Sequence, residues 1–132
     1  MKGKDQLGDR MKAYEDVSRN VLTKRVPVII RVDGRAFHKF CKRFTKPYDP
    51  TMHNALNRVM LALCGEIQGA KFAERHSDEI SILVVDFDDI NTESYFDYVV
   101  PKICSVVASF TSVEFCRALV SGMQLEPTEK WP

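Results

Sequence analysis

Apolar positions in the first quarter of the chain predict a helix followed by a strand. Helical spacing over residues 8–22 indicates the helix, whose apolar face contains Met11, Tyr14 and either Val17 or Val21. Residues 26–32 are nearly all apolar and mostly β-branched, which predicts a strand buried on both faces. Pro27 has no amide proton and must therefore lie near the start or the edge of that strand. A turn signal, Asp33-Gly34, is expected to end it.

The next segments predict a helix, a β-hairpin and a final helix. Asp49-Pro50 is typical of a helix start, and one helical face follows with Leu56, Val59, Met60, Leu63 and Ile67. Gly69 is expected to end that helix. Residues 71–75 and 79–85 are strand-like and flank a polar tip, which indicates a hairpin. The last helix is expected to begin at or near Pro101, with an apolar stripe of Ile103, Val106, Val107, Phe110 and Val113 or Glu114.

This order of elements predicts an α/β (α+β) fold. Helix, strand, helix, hairpin and helix form most of a ferredoxin-like β-α-β-β-α-β arrangement, with the last strand missing. A chain of 132 residues with 45% hydrophobic content can bury one core, so we expect one domain over residues 1–120. Residues 121–132 show no convincing apolar strand and are expected to form a loosely ordered polar tail.

Charge and cysteine usage restrict the classes of partner. The net charge is +1, but residues 24–46 are strongly basic while an acidic cluster lies within residues 86–93. The basic stretch suits phosphate partners, although a solvated surface explains it equally well. The 4 cysteines have no CxxC spacing and the N-terminus has no apolar signal region, so we expect a cytoplasmic protein. No uninterrupted apolar stretch approaches the roughly 20 residues of a membrane helix, so no membrane partner is expected.

Two carboxylates are predicted to meet at one end of the sheet. Asp33 ends the first strand, and Asp78 and Glu79 lie at the hairpin tip. Mg²⁺ prefers oxygen ligands and retains water, so one or two carboxylates, a main-chain carbonyl and substrate phosphates are sufficient. Adjacent strand residues face opposite sides, so only one of the two hairpin acids can join Asp33. We expect that acid to be Asp78, with Glu79 in a supporting role or near a second metal.

Other candidate residues have plainer interpretations. Each aspartate motif alone is a common turn or cap signal, and only their pairing at strand ends favours a metal site. His38 is assigned to ligand contact or to no role, whereas His53 and His76 are expected to be surface or capping residues. The aromatic residues of the basic stretch have helical spacings that favour core packing over base stacking: Phe37, Phe40 and Phe44.

Three motifs in the right order resemble the tRNA-His guanylyltransferase family. Residues 31–38, Arg-Val-Asp-Gly-Arg-Ala-Phe-His, resemble its Asp-Gly-Arg signature. Residues 44–49, Phe-Thr-Lys-Pro-Tyr-Asp, resemble its Lys-Pro element, and residues 77–81, Ser-Asp-Glu-Ile-Ser, its Ser-Asp-Glu motif. The resemblance runs from about Met11 to Phe115 and rests on the combination of motifs.

The resemblance implies a polymerase-like palm that adds a nucleotide to the 5′ end of tRNA in the 3′-to-5′ direction. It implies two Mg²⁺ ions held by Asp33, Asp78 and the Gly34 carbonyl, with GTP and ATP as substrates and Glu79 as a supporting acid. Main-chain amides from Gly34 to Phe37 would cradle a triphosphate. The complete set of expected nucleotide-binding positions is Gly34, Arg35, Ala36, Phe37, His38, Lys46 and Ser77. Homologues of this family commonly oligomerise, so a homo-oligomer is also expected.

Alternatives remain at this point. Basic side chains near the metal could offset phosphate charge, but Arg31 could equally be an ion-pair partner on the sheet face. Family segments expected beyond the last helix are not visible, so a truncated, non-catalytic GTP- and Mg²⁺-binding module that works with a partner chain is a second hypothesis. Another palm-type enzyme, such as a nucleotide cyclase, is a third, but it lacks the Lys-Pro and Ser-Asp-Glu elements.

Overall fold

The computed structural model describes residues 6–123, which form four α-helices and three strands. The helices are α1 (Gln6–Asp16), α2 (Phe37–Phe40), α3 (Pro50–Glu66) and α4 (Val100–Met123). The strands are β1 (Val28–Val32), β2 (Ala70–His76) and β3 (Glu79–Val84). Two 3₁₀ turns, Cys41–Arg43 and Tyr95–Tyr98, follow α2 and precede α4. The predicted order of helix, strand, helix, hairpin and helix is confirmed.

The three strands form one antiparallel sheet with β3 in the centre. The order is β1-β3-β2, and β1 and β2 both run antiparallel to β3. β1 and β2 are therefore parallel to each other on either side of the hairpin's second strand. This is the ferredoxin-like order without its fourth strand, and within residues 6–123 no further strand joins the sheet. The predicted α+β class is confirmed.

The core lies between one face of the sheet and the helices α3 and α4. Alternate β3 residues point into it, and Ile82 is fully buried. Leu63 of α3 and Val107 of α4 pack in the same cluster. A second cluster packs Met52, Ala55 and Leu56 of α3 against Ala118 and Leu119 of α4. These contacts set the position of the sheet end that carries the predicted site.

The prediction that β1 is buried on both faces is wrong. Val28, Ile30 and Val32 pack against the core, whereas Ile29 is 70% exposed and the Arg31 side chain 59% exposed. The helices cover only one face of the sheet, so alternate residues of this edge strand meet solvent. A continuous apolar run concealed this alternation because Ile29 is as apolar as its buried neighbours.

Two helix ends also differ from expectation. α1 ends at Asp16, before the predicted limit at residue 22, and Val21 instead forms an isolated bridge with Val99. α3 ends at Glu66, and Gly69 has a positive φ of 86° at the start of the hairpin, where its carbonyl accepts from the Val85 amide. Gly69 therefore closes the open end of the hairpin, which is a different task from ending the helix.

The final helix is longer than predicted. α4 continues to Met123, so residues 121–123 of the predicted polar tail are helical, and residues 124–132 lie outside the described part. By length and composition α4 is a candidate membrane span. In this structure Ile103 and Val107 of α4 pack in the main core and Leu119 packs against α3. Only 22% of the apolar stretch of α4 is buried within the domain.

Candidate metal and nucleotide site

Strand register brings the two predicted aspartates to the same end of the sheet. Val32, the last residue of β1, pairs with Ile80 of β3. Asp33 and Gly34 follow Val32 directly, and Asp78 and Glu79 precede Ile80, so the four residues lie across from one another beyond the last pair. Antiparallel pairing of a strand end with a hairpin tip is the geometric reason for this meeting.

The Asp78 carboxylate lies directly against the main chain at Gly34. A Cβ atom placed on Gly34 would be 2.7 Å from Oδ2 of Asp78 and 2.8 Å from Cβ of Phe37. Glycine is therefore required here for close approach. Asp33, Gly34 and Asp78 line one cleft of about 420 Å³, together with Arg35 and Phe37. We call this space the carboxylate cleft.

The donor chemistry of the carboxylate cleft suits a hard divalent cation. Two carboxylates and a main-chain carbonyl supply oxygen atoms, and the remaining positions of Mg²⁺ are commonly taken by water and substrate phosphates. Within residues 6–123 there is no group of three or more His, Cys, Asp or Glu side chains arranged around a metal position. The candidate ligand set in this cleft is the Asp33 and Asp78 carboxylates with the Gly34 carbonyl.

Glu79 and Arg31 form an ion pair on the open face of the sheet. Nη2 of Arg31 lies 3.1 Å from Oε2 of Glu79, and Nε of Arg31 lies 3.4 Å from Oγ of Ser81. This arrangement corresponds to the structural alternative for Arg31. It also places Glu79 on the side of the sheet opposite the core helices, while its neighbour Asp78 lines the carboxylate cleft.

The segment after Gly34 turns sharply into α2. Ala36 adopts a left-handed conformation with φ of 50°, and its carbonyl accepts from the Lys39 amide. This turn lets Phe37 return to the cleft wall. The predicted core packing of the aromatic residues is confirmed, because Phe37, Phe40 and Phe44 form a cluster that includes Phe115 of α4.

A group of exposed cations lies on the segment from α2 to α3. Arg35 and Lys46 are exposed, and neither forms an ion pair within residues 6–123. The same holds for three more side chains: Lys39, Lys42 and Arg43. By contrast Lys24 pairs with Asp97, and the Arg25 side chain donates to main-chain carbonyls. Arg35 lines the carboxylate cleft, so a cation without an ion pair is available there for an anionic partner.

Asp49 organises the loop that carries Lys46. Its Oδ1 accepts from the Met52 amide as the N-cap of α3, and its Oδ2 accepts from the Thr45 amide, both at 3.1 Å. The hydrogen bond from Met52, with the one from Thr45, holds the pKa of Asp49 below its usual value. The Lys46-Pro47 peptide bond within the loop is cis.

A second cleft adjoins the carboxylate cleft. It has a volume of about 520 Å³ and is lined by Phe44, Lys46, Asp49, His53, Arg75, Ser77 and their neighbours, and we call it the loop cleft. Phe37 and Leu56 line both clefts, so the two spaces are neighbours. Burial, with a contribution from the Asp78 carboxylate, raises the pKa of the Cys41 thiol in its wall. Cys41 therefore stays protonated.

Sequence reasoning missed a polar cluster beside the hairpin tip. Arg75 hydrogen-bonds to Asn57 and His53 of α3 and to the Ser77 carbonyl. His53, expected to be a surface or capping residue, is half-buried, and its ring packs on Tyr48 at 4.8 Å. His76 is a surface residue as predicted, with its side chain 78% exposed. The only sequence signal for this cluster was the alternation of side chains along β2, which turns Arg75 toward α3.

Comparison with known proteins identifies relatives of this domain. A family model described as tRNAHis guanylyltransferase matches residues 8–132. A probable tRNA(His) guanylyltransferase of Dictyostelium discoideum is 30% identical over 98 residues, which cover 73% of this chain and 36% of that protein.

Solved structures show the same fold. A bacterial tRNA(His) guanylyltransferase-like protein in complex with ATP superposes with a TM-score of 0.85 at 38% identity, covering 92% of this chain and 54% of the other. The corresponding GTP complex gives a TM-score of 0.85 at 38% identity and covers 97% of this chain and 59% of the other. The chain thus spans less than two thirds of the length of these relatives.

Proposed function

Because the chain belongs to the tRNAHis guanylyltransferase family, we propose that it binds a nucleoside triphosphate with Mg²⁺ and adds a nucleotide, GMP in particular, to the 5′ end of a tRNA. Asp33, Asp78 and the Gly34 carbonyl are the proposed metal ligands. The observation that carries this proposal is the shared cleft of the two aspartates, with the Asp78 carboxylate against the Gly34 main chain. The family relatives solved with ATP and GTP support the choice of nucleotide.

The proposed roles follow from the chemistry of the ligand set. Two Mg²⁺ ions bound there would lower the pKa of the attacking hydroxyl and neutralise charge on the leaving phosphate. Asp33 and Asp78 bring two negative charges to the place where the cations are needed. Glu79, which neutralises Arg31 on the sheet face, is proposed as a supporting acid.

The exposed cations beside the cleft suit the anionic substrates. Arg35 and Lys46 are free of carboxylate partners within the described residues and can pair with triphosphate oxygens. The main chain turns at Arg35 and Ala36 just before α2, and short main-chain turns of this kind bind phosphate. The cations farther along the segment, Lys39, Lys42 and Arg43, would attract the tRNA backbone, with weaker attraction at higher salt.

The loop cleft provides room for the rest of the nucleotide. It lies beside the carboxylate cleft, with Phe37 in the walls of both, and its wall combines the Phe44 ring with the polar side chains of Asp49 and His53. An aromatic surface with a few convergent polar groups is the usual composition of a site for a planar ligand. We propose that the base and ribose occupy this cleft while the phosphates reach toward Asp33 and Asp78.

Two measurements test the proposal. Binding of fluorescent GTP with and without Mg²⁺ is expected to show metal-dependent affinity that Asp33→Asn and Asp78→Asn abolish. Labelled GTP with ATP and a 5′-truncated tRNA is expected to give incorporation by wild type only. Asp16→Asn is the matched control, because this aspartate lies on exposed α1 and pairs with Arg19.

The outcomes separate the competing functions. Equal incorporation by wild type and Asp78→Asn would show that the metal ligands are misassigned. Mg²⁺-dependent GTP binding without incorporation would favour a nucleotide-binding module that works with another chain. Absence of Mg²⁺-dependent GTP binding by wild type would remove both functions.

A further inference from the structure

The guanidinium group of Arg75 links three parts of the domain. This half-buried residue near the end of β2 donates from Nε to Oδ1 of Asn57 at 3.0 Å. Its Nη2 lies 2.7 Å from Nδ1 of His53, and its Nη1 donates to the Ser77 carbonyl at 2.5 Å. Asn57 and His53 are four residues apart and share one face of α3. Arg75 therefore joins α3 to the hairpin tip.

The chemistry of these bonds assigns the His53 tautomer. A guanidinium group has only donors, so Nδ1 of His53 accepts and its ring proton is on Nε2. Tyr48 packs on the same ring at 4.8 Å and restricts its rotation. Arg75 is thus anchored by two acceptors on one helix, and its third bond is directed at the tip.

The bond to Ser77 controls a strained turn. Ser77 is a non-glycine residue with φ of 57°, a left-handed conformation that costs energy and persists where the surroundings hold it. Its carbonyl is the acceptor for Arg75. The next residue is Asp78, whose Oδ2 lies against Gly34. Arg75 therefore holds the peptide group that links Ser77 to Asp78. The orientation of this peptide group sets the position of the Asp78 Cα atom and the direction of its side chain.

We infer that Arg75 is a positioning residue for Asp78: by holding the Ser77 carbonyl, it keeps the Asp78 carboxylate in the carboxylate cleft in the orientation that binds metal. The inference rests on the proposed function, because it concerns the same metal ligand. Arg75 lines the loop cleft but not the carboxylate cleft, so it acts on the metal through the hairpin tip. Residues that orient a metal ligand typically contribute about 10–100-fold to metal affinity or activity.

The test compares Mg²⁺ dependence of GTP binding in wild type, Arg75→Met and Arg75→Lys. Arg75→Met is expected to raise the Mg²⁺ concentration for half-maximal GTP binding by about 10-fold or more. GTP affinity in EDTA is expected to fall by less than it falls with Mg²⁺, since Arg75 lines the loop cleft but acts on the metal through the hairpin tip. Arg75→Lys retains a donor for one acceptor and should give an intermediate shift. Arg58→Met is the control, because Arg58 is an exposed α3 residue without an ion pair within residues 6–123.

A smaller change guards against misfolding of Arg75→Met. Asn57→Ala removes one anchor and is expected to shift Mg²⁺ dependence in the same direction while the protein stays folded by circular dichroism. Unchanged Mg²⁺ dependence in the folded Arg75 and Asn57 variants would overturn the inference. Equal weakening with Mg²⁺ and in EDTA would overturn it too, since Arg75 would then bind nucleotide or act on the whole fold. Loss of Mg²⁺-dependent binding in wild type would instead remove the proposed function itself.

Discussion

The Oδ2 atom of Asp78 lies 2.7 Å from the place where a Cβ atom would project from Gly34. The Cδ2 atom of Phe37 lies at the same distance, so the main chain at residue 34 is enclosed by a carboxylate and an aromatic ring. A methyl group at this position would overlap both groups, and it would also lie 2.8 Å from the Cβ atom of Phe37. The carboxylate ends a rotatable side chain and can turn away, whereas the Phe37 ring is packed against Phe40 and Phe115, so the main chain at residue 34 has to shift as well.

Gly34→Ala is therefore expected to impair both metal binding and folding. We predict that the Mg²⁺ concentration for half-maximal GTP binding rises by about 10-fold or more. The free energy of unfolding should fall by about 1–3 kcal/mol, the usual effect of overpacking. Fluorescence titration and urea denaturation measure the two quantities. Gly65→Ala is the control, because a Cβ there meets no atom within 4 Å; a similar metal defect in both variants would contradict the prediction.

Gly69→Ala should damage the fold at the other end of the hairpin. Gly69 has a φ of 86°, and a Cβ there would overlap the Val85 carbonyl oxygen. Both the backbone conformation and the lack of space oppose alanine, so we predict a loss of more than about 1 kcal/mol in the free energy of unfolding. Urea denaturation measures it, again with Gly65→Ala as the comparison. A Gly69 variant as stable as wild type would show that the chain relaxes around this position.

Arg31→Met tests whether Arg31 serves the sheet face or the substrate. The Arg31 side chain is 59% exposed and that of its partner Glu79 is 37% exposed, so solvent screens the ion pair. We predict a change of less than about 1 kcal/mol in the free energy of unfolding and unchanged GTP affinity. Arg35→Met, which removes a cation without a carboxylate partner in residues 6–123, should lower GTP affinity and its salt dependence. The reverse pattern would assign the phosphate contact to Arg31.

The stability of the protein should fall at acidic pH partly because of Asp86. Asp86 is 1% exposed and accepts from the Ser94 hydroxyl and the Arg25 amide. Burial is the largest influence and raises its pKa, but these hydrogen bonds and the Arg25 charge outweigh it and leave the pKa below its usual value. The ionised carboxylate of Asp86 thus adds to the free energy of unfolding above its unfolded pKa of about 3.9. This added stability is lost as the pH falls through the lower pKa of the folded state.

Asp86→Asn is accordingly predicted to destabilise the protein at neutral pH and to have a smaller effect as the pH approaches 3. Urea denaturation of wild type and variant across this range measures the difference. Asp16→Asn, at an exposed carboxylate, should change stability little at any pH. A constant difference between Asp86→Asn and wild type would mean that ionisation of Asp86 is not the source of the pH dependence.

Sequence patterns predicted the elements and the meeting of Asp33 with Asp78 because both depend on local signals and on strand register. Asp33 follows an aliphatic strand and Asp78 lies at a hairpin tip, so pairing of β1 with β3 was enough to bring them together. The Asp49-Pro50 helix start was equally local, since the Asp49 side chain caps the helix three residues later. Each of these features needs no knowledge of distant contacts.

The features that were missed depend on tertiary packing. Ile29 is apolar yet exposed, because the helices cover one face of the sheet only. Arg75 and His53 are 22 positions apart, and no periodicity reveals that their side chains meet. The role of Gly69 similarly depends on the Val85 carbonyl across the hairpin. Single-sequence patterns contain no information on which charged and polar residues become partners.

One carboxylate oxygen of Asp49 accepts a hydrogen bond from the first turn of α3, and the other accepts one from the Thr45 amide. The loop that carries Lys46 is therefore tied to α3, the helix whose Asn57 side chain accepts from Arg75. A tilt of α3 would carry the Lys46 loop and the hairpin tip together as one rigid unit. Engineering that aims to widen the space for bulkier nucleotide analogues would therefore do better to trim side chains such as Tyr48 than to alter the helix.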